Sequence, residues 1–227
     1  MTCLKFTTST ETHRRFKFRT GLNTDTNSLA PDPTKLLGTY GLYFTDIRYC
    51  ARWLAYDMAY VREVTLPKGE LVVNLDGQYR SHRIILGPRH DLYKVKTWKW
   101  LVSKGFDNAN DALRWATVNG DLEVAKYLVA LGADVTAYDN LAVCNSSYFG
   151  HLEMVKYLVS QGADVTARKN YALRWASANG DLDVVEYLVS QGADVTACNN
   201  HAVHLANEYG HLDVVKFLES KGAVLPL

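Results

Sequence analysis

The chain has 227 residues, 48% of them hydrophobic and 22% charged, with a formal net charge of +1, an ordinary globular composition that excludes wholesale disorder and provides for one large domain or two smaller ones. The +1 is a cancellation: residues 1–105 hold 17 Lys and Arg against 9 Asp and Glu, and residues 106–227 hold 8 against 15. Cys3, Cys50, Cys144 and Cys198 form no C-x-x-C pair, which speaks against a zinc ribbon or a disulfide framework and for a reducing compartment.

In chain order, Met1 to Phe6 runs straight into Thr, Ser and Arg without the apolar core of a secretory signal. No stretch approaches the roughly 20 apolar residues of a membrane helix. A soluble intracellular protein is expected. Lys5-Phe6-Thr7, Arg15 to Arg19, Gly41 to Phe44, Val61 to Leu66 and Ile84 to Leu86 alternate as strands do. Between the third and fourth, Ile47, Cys50, Ala51, Leu54 and Met58 fall at helical spacing behind a cap at Asp46. Turns are read at Gly21, Pro31 to Pro33, Pro67-Lys68-Gly69, Asp76-Gly77 and Gly87-Pro88. Residues 1–91 therefore read as a small α+β domain.

Beyond residue 105 the chain repeats itself. Glycines recur at 120, 150, 180 and 210 and again at 132, 162, 192 and 222, and asparagines at 110, 140, 170 and 200, always in steps of 30. Each Asn is read as the cap of a short first helix, and the mid-unit Gly ends it. Asp121, His151, Asp181 or His211 then opens a second helix, for example Leu182 to Gln191 with Leu182, Val185, Leu188 and Val189 on one face. The polar G-A-D-V-T-A segment links units as a short extended loop. Two such short helices cannot bury their apolar face alone, so the units must stack into an α-solenoid.

The unit resembles the ankyrin repeat family, on Ala116, Gly120, Asp121-Leu122, Gly132-Ala133-Asp134 and their equivalents 30, 60 and 90 residues on. The family unit has about 33 residues, so short fingers are implied. The family's T-P-L-H is replaced by Asp111 to Arg114, Leu141 to Cys144, Tyr171 to Arg174 and His201 to His204. The capping Asn is expected to take over the hydrogen bonds between units that this tetrapeptide supplies. Lys99 to Gly105 matches Lys156 to Gly162, and Glu219 and Lys221 turn the last second helix polar. The organisation read is an N-terminal domain (1–91), a degenerate opening half-repeat (92–105), and repeats at 106–132, 133–162, 163–192 and 193–227, the last with a cap. The runs His13 to Asn23, Gly41 to Asp46, Tyr60 to Pro67 and Ile84 to Arg89 are similar to the N-terminal domain of ankyrin proteins of mimivirus-type giant DNA viruses. That resemblance implies a viral origin and action in host cytoplasm, and it implies no chemistry.

Cys198, His201 and His204 come at successive threes, but they occupy ordinary varying slots of the unit and lack a fourth ligand, so no metal is assigned. The order of strand, helix and strand through Gly41 and Val61-Arg62-Glu63-Val64 resembles ADP-ribosyl-transfer folds faintly. Glu63 reads as a solvent-facing strand charge, and no phosphate loop or nucleophile arrangement is present. No catalytic residue and no cofactor is assigned. The basic run His13 to Arg19, extended by Arg80, His82, Arg83, Arg89 and His90, is moderate for a nucleic-acid site and reads as the wet face of strands around buried Phe16 and Phe18. The reading favoured is a non-catalytic, monomeric interaction protein binding a protein partner on the concave face of its repeats. The slots free to vary hold Tyr138, Asp139, Arg168, Lys169 and Asn199 on the fingers, and Tyr148, Phe149, Glu208 and Tyr209 near the ends of first helices. The competing class is a basic N-terminal effector that the repeats target. Trp115 and Trp175, 60 residues apart, are read as packing groups. The acidic balance of the repeats favours a basic or mixed partner.

Overall fold

The computed structural model describes residues 2–13, 16–25, 42–54 and 57–225. Arg14, Arg15, the turn at Pro31 to Pro33, and Gly41 lie outside them. The chain divides into two compact units, Met1–Asp111 and Ala112–Leu227.

The first unit is built on an antiparallel sheet. Its strands are β1 (Cys3–Thr8), β4 (Gly21–Thr24), β5 (Leu42–Asp46), β6 (Met58–Thr65), β7 (Val73–Leu75), β8 (Gln78–Ser81) and β9 (Arg83–Leu86), in the order β4-β9-β6-β1-β5-β8-β7, with β10 (His90–Asp91) added on β6. A separate ribbon pairs β2 (Thr12–His13) with β3 (Phe16–Lys17). Among the described residues of the run expected as one strand from Arg15 to Arg19, only Phe16 and Lys17 are strand, because Phe18 leaves the ribbon to enter the core with Cys3, Leu42, Phe44, Val64, Ile84 and Leu86. Sequence reading found the Asp76-Gly77 turn but not the hairpin of β7 and β8 around it. Both turn residues have positive φ, 51° and 82°, as an Asp-Gly hairpin requires.

The helix expected from Asp46 to Met58 is shorter and tighter. A 3-10 helix covers Ile47–Trp53, and Met58 already begins β6. Asp46 does start it, accepting from the backbone N–H of Arg48 at 2.9 Å and from its guanidinium at 2.8 and 3.1 Å. Those hydrogen bonds hold the Asp46 carboxyl below the usual range. Burial pushes the Cys50 thiol on this helix up to about 12. Helix α1 (Val95–Ser103) closes the unit, its Trp98 indole donating to the Leu92 carbonyl at 2.7 Å.

The second unit is helical; α2 (Ala109–Asn119) leads into it, and the pairs continue as α3 (Leu122–Ala130), α4 (Ala137–Tyr148), α5 (Leu152–Ser160), α6 (Ala167–Asn179), α7 (Leu182–Ser190), α8 (Ala197–Glu208) and α9 (Leu212–Ser220). Helix α4 packs on α6 and α6 on α8, while α5 packs on α7 and α7 on α9. The same slots are buried in every second helix: Val124, Ala125 and Leu128, then Met154, Val155 and Leu158, Val184, Val185 and Leu188, and Val214, Val215 and Leu218. Leu182 and Val189 are only half-buried. The 189 slot becomes the exposed Glu219 in the last unit.

The linking segment is turned rather than extended. Asp134 accepts from both the backbone N–H and the hydroxyl of Thr136, at 2.8 and 2.7 Å, and Asp164 and Asp194 repeat the arrangement with Thr166 and Thr196. Where the finger would be, three consecutive residues take left-handed backbone: Tyr138 to Asn140, Arg168 to Asn170 and Cys198 to Asn200, with φ between 54° and 60°. No strand follows β10 among the described residues.

This turn corrects the reading of the asparagines. Asn140, Asn170 and Asn200 do not cap their own helices; left-handed backbone aims the first two at the next unit and Asn200 at the C-terminal cap, where their Oδ1 atoms accept from the N–H of Asp164, Asp194 and Val224 at 2.8, 2.8 and 3.0 Å. In the first unit the cap is Asn108, whose Oδ1 accepts from the Asp111 N–H at 3.1 Å, and not Asn110. The hydrogen bond between units expected of the Asn is present, but it runs forward by 24 residues.

Neighbouring glycine substitutions should therefore have opposite signs. Left-handed backbone costs a side-chain-bearing residue roughly 1–2 kcal/mol, so Lys169→Gly should stabilise by up to about 1 kcal/mol after the added unfolded-state freedom of Gly is subtracted. Asn170→Gly strips the acceptor from the Asp194 amide and should cost about 1–3 kcal/mol. Urea melts of the two variants beside the parent chain check both signs.

Candidate functional site

The site predicted from the sequence divides into two clusters and two separate residues. At the end of α4, Tyr148 and Phe149 touch edge to face with centroids 4.8 Å apart, and Tyr148 meets Trp175 of α6 at 5.4 Å. Tyr171 adds a fourth ring 5.7 Å from Trp175, and Phe149 stacks on the His151 imidazole at 6.1 Å. Asn179 donates to the Tyr148 carbonyl, which ties the end of α4 to α6. Phe149 keeps 45% of its surface exposed and Tyr148 37%. Such exposure of adjacent large rings is what core packing does not require.

The second cluster lies on the left-handed turns. Arg168 donates from Nη2 to the Tyr138 carbonyl at 2.6 Å and from Nε to the Asp139 carbonyl at 3.1 Å, with the Asp139 carboxylate 3.4 Å away. Arg174 reaches back to the Arg168 carbonyl at 3.1 Å and lies over the Tyr171 ring at 5.4 Å. Tyr138, Asp139, Arg168 and Tyr171 thus belong to one connected surface. Cys198 bridges weakly to the Lys169 carbonyl at 3.9 Å. Lys169 and Asn199 are exposed on successive turns, and Glu208 and Tyr209 are exposed at the end of α8.

Trp175 and Trp115 share a slot but not a role. Trp115 is fully buried, whereas Trp175 is half-buried and joins the exposed rings. Trp175 still packs, against Tyr148 and Tyr171, but at the margin of the exposed group.

His151 and His211, each at the start of a second helix, also serve the preceding unit. Their Nε2–H groups donate to the Val118 and Ala178 carbonyls at 3.1 and 3.0 Å, 33 residues back. Each ring lies flat against a helix-ending glycine: a Cβ on Gly120 would come within 2.8 Å of His151, and one on Gly180 within 2.4 Å of His211. These glycines also have φ of 69° and 77°, so conformation and space both demand them. Asp181 fills the equivalent place over Gly150.

Burial raises the Asp181 carboxyl above its ordinary value, with His151 and His211 only partly offsetting it. In the first unit the sheet's charged groups are largely consumed internally. Buried Arg62 is held by Glu11 at 2.9 and 3.2 Å and by the Gly87 carbonyl at 2.8 Å. Arg83 pairs with Glu70 at 2.8 Å, Arg89 stands over Tyr60, and His90 stacks on Trp100. Glu63 is not a free strand charge, because Lys104 lies 3.2 Å from it. The basic surface expected from Arg80 to His90 is therefore broken up by these partners, and only Lys17 and Arg19 of its first half are exposed among the described residues.

Tandem helix pairs stepping by 30 residues, joined by Gly-Ala-Asp turns and displaying varied side chains at fixed slots, define a helical repeat protein. The family of ankyrin repeats matches as three copies over residues 140–225 and as a single repeat over 108–140. The chain belongs to the ankyrin repeat family. Among its relatives are an ankyrin repeat protein of Acanthamoeba polyphaga mimivirus, 35% identical over 55% of this chain and 65% of its own length, and an uncharacterized protein of the same virus, 32% identical over 55% and 95%. A third, another mimivirus ankyrin repeat protein, is 37% identical over 60% of this chain and 43% of its own. The chain thus spans just under two thirds of the first relative and less than half of the third. No helix among the described residues is long and apolar enough to cross a membrane.

Asp181 gives a pH test with a definite sign. Its folded-state value is raised, so the native state holds the proton more tightly than the unfolded chain; that contribution is full below about pH 4, the unfolded value, and is lost as pH rises through the folded value. Asp181→Asn, of the same size, should therefore melt higher than the parent at pH 7, with the gap closing below about pH 4. A gap independent of pH in thermal melts would exclude the desolvated carboxylate as its source.

Proposed function

We propose that the protein is a non-catalytic adaptor of giant-virus type whose repeats stack as a solenoid and bind a protein partner on the concave face. The observation that carries this reading is the exposed group of Tyr148, Phe149, half-buried Trp175 and Tyr171, bordered by Arg168, Arg174 and Asp139. Interfaces concentrate their energy in such aromatic and arginine anchors, ringed by polar groups that exclude water. The left-handed turns support the same reading, since backbone strain repeated at three adjacent units is costly and is commonly kept where a loop must present side chains. Lys169, Asn199, Glu208 and Tyr209 extend the surface along the later units. Ankyrin repeats and mimivirus relatives agree with a viral interaction protein. The alternative, an N-terminal nucleic-acid effector, is disfavoured by the internal engagement of Arg62, Arg80, Arg83 and Arg89. An ADP-ribosyl-transfer role is disfavoured by the pairing of Glu63 with Lys104.

Replacing Tyr148, Phe149 and Tyr209 together by Ala should weaken partner capture by at least a hundredfold, the loss of about 3 kcal/mol expected of two or three anchors. A single cooperative melt should be retained. Quantitative mass spectrometry of proteins held by the parent and by the triple variant, from infected host cells, checks this; an unchanged protein set would remove the site from these residues.

A further inference from the structure

Strands β1 and β5 share the sheet for only two residue pairs, Cys3 with Asp46 and Leu4 with Thr45, whereas β1 and β6 stay paired from Cys3 to Thr8. Past Leu4 the β1 and β5 strands part. The gap is a cavity of about 430 Å³, within the range of small-molecule sites, roughly 300–1,000 Å³. Lys5, Thr7 and Thr8 of β1 form one wall and Tyr43 to Thr45 of β5 the other, with Phe18, Trp53 and Arg80 completing it.

Two polar groups of this cavity, Lys5 and Thr7, are buried without a hydrogen-bond partner among the described residues. Lys5 is 8% exposed, and no carboxylate or carbonyl lies within hydrogen-bond distance of its ammonium among the described residues; its contact is the Phe18 ring at 4.6 Å. Opposite Lys5 in the β1 and β6 ladder stands another cation, Arg62, and the nearby Glu11 is spent on Arg62 and Arg89. Burial brings the Lys5 ammonium down to about 8. The hydroxyl of Thr7, also buried, has no hydrogen-bond partner among the described residues. A second cation, Arg80, lines the cavity with its guanidinium 4.0 Å over the Tyr43 ring. Trp53, 39% exposed, offers an aromatic face.

We infer that this cleft binds a small planar ring bearing an anionic head group, the anion on Lys5 beside the Thr7 hydroxyl, and the ring against Trp53. An uncompensated buried ammonium is expensive, and an anion brought into the same low-dielectric space pairs with it more strongly than it could in water. The apolar remainder of the wall suits a ring better than a hydrated inorganic ion. This site is independent of the repeat surface.

Calorimetric titration of the full chain with phenyl phosphate, adenosine monophosphate and benzoate, beside neutral phenol and adenosine, tests the inference. At least one of the three anions should saturate one site per chain, and each anion that saturates should bind at least tenfold more tightly than its neutral counterpart, phenol for both phenyl phosphate and benzoate and adenosine for the nucleotide. Preference for the phosphates or for benzoate then assigns the head group. Lys5→Met, which removes a buried charge at similar volume and should melt no lower than the parent, should weaken that anion at least tenfold, and Trp53→Ala about threefold or more. The inference is overturned if none of the three anions saturates, if the neutral parents bind as well, or if a folded Lys5→Met chain binds within twofold of the parent.

Discussion

The amides of Asp164 and Asp194 each donate to an asparagine of the unit before, as that of Val224 in the cap does to Asn200, and much else in the helical half follows from that reach. A short helix pair leaves both apolar surface and backbone donors that it cannot satisfy internally. Here the donor of one Gly-Ala-Asp turn is satisfied by a side chain that only left-handed backbone can aim across the gap. The three strained residues of each turn and the forward hydrogen bond are thus one device. Asn is suited to it twice over, since it tolerates the left-handed region and carries an acceptor on a short stem.

A second tie runs in the opposite direction. His151 and His211 reach back to carbonyls at the ends of α2 and α6 and rest on the glycines that end those helices. The unit opened by His211 is thus held by Asn170 of its predecessor and holds that predecessor's last turn. With the framework fixed at both ends of the unit, the slots between are released from structural duty. Tyr148, Phe149 and Tyr209 stand in such slots.

The two halves of the chain spend their charges differently. In the sheet unit, Arg62, Arg83 and Arg89 are bound to Glu11 and Glu70, and Lys104 to Glu63, so a basic total yields little free basic surface. Lys5 departs from this economy, a buried cation without an acid among the described residues, at the point where two strands of the sheet separate. In the repeat unit, the charges of the second helices form exposed pairs such as Lys126 with Glu123 and Lys156 with Glu153, which contribute little to stability. The charged groups that organise surface there are Arg168 and Arg174, tied to the turns and rings of the candidate site.

The amino-acid sequence by itself determined the helical half: period, helix order, buried Val and Leu slots and family were legible because each unit repeats the same local rules four times. The N-terminal strands at β1, β5, β6 and β9 were legible for a similar reason, since alternation is a local property. Which way Asn170 points, and that His211 serves the unit before its own, were decided only by tertiary structure, because both depend on a partner 24 or 33 residues away that no spacing rule encodes. The fate of Trp175 against Trp115 was decided in the same way, by what lies beside an identical slot. The cleft between β1 and β5 was invisible in the sequence, since a cavity arises from where two strands cease to pair, and Lys5 within Lys5-Phe6-Thr7 reads as the wet face of a strand until its neighbours are placed around it.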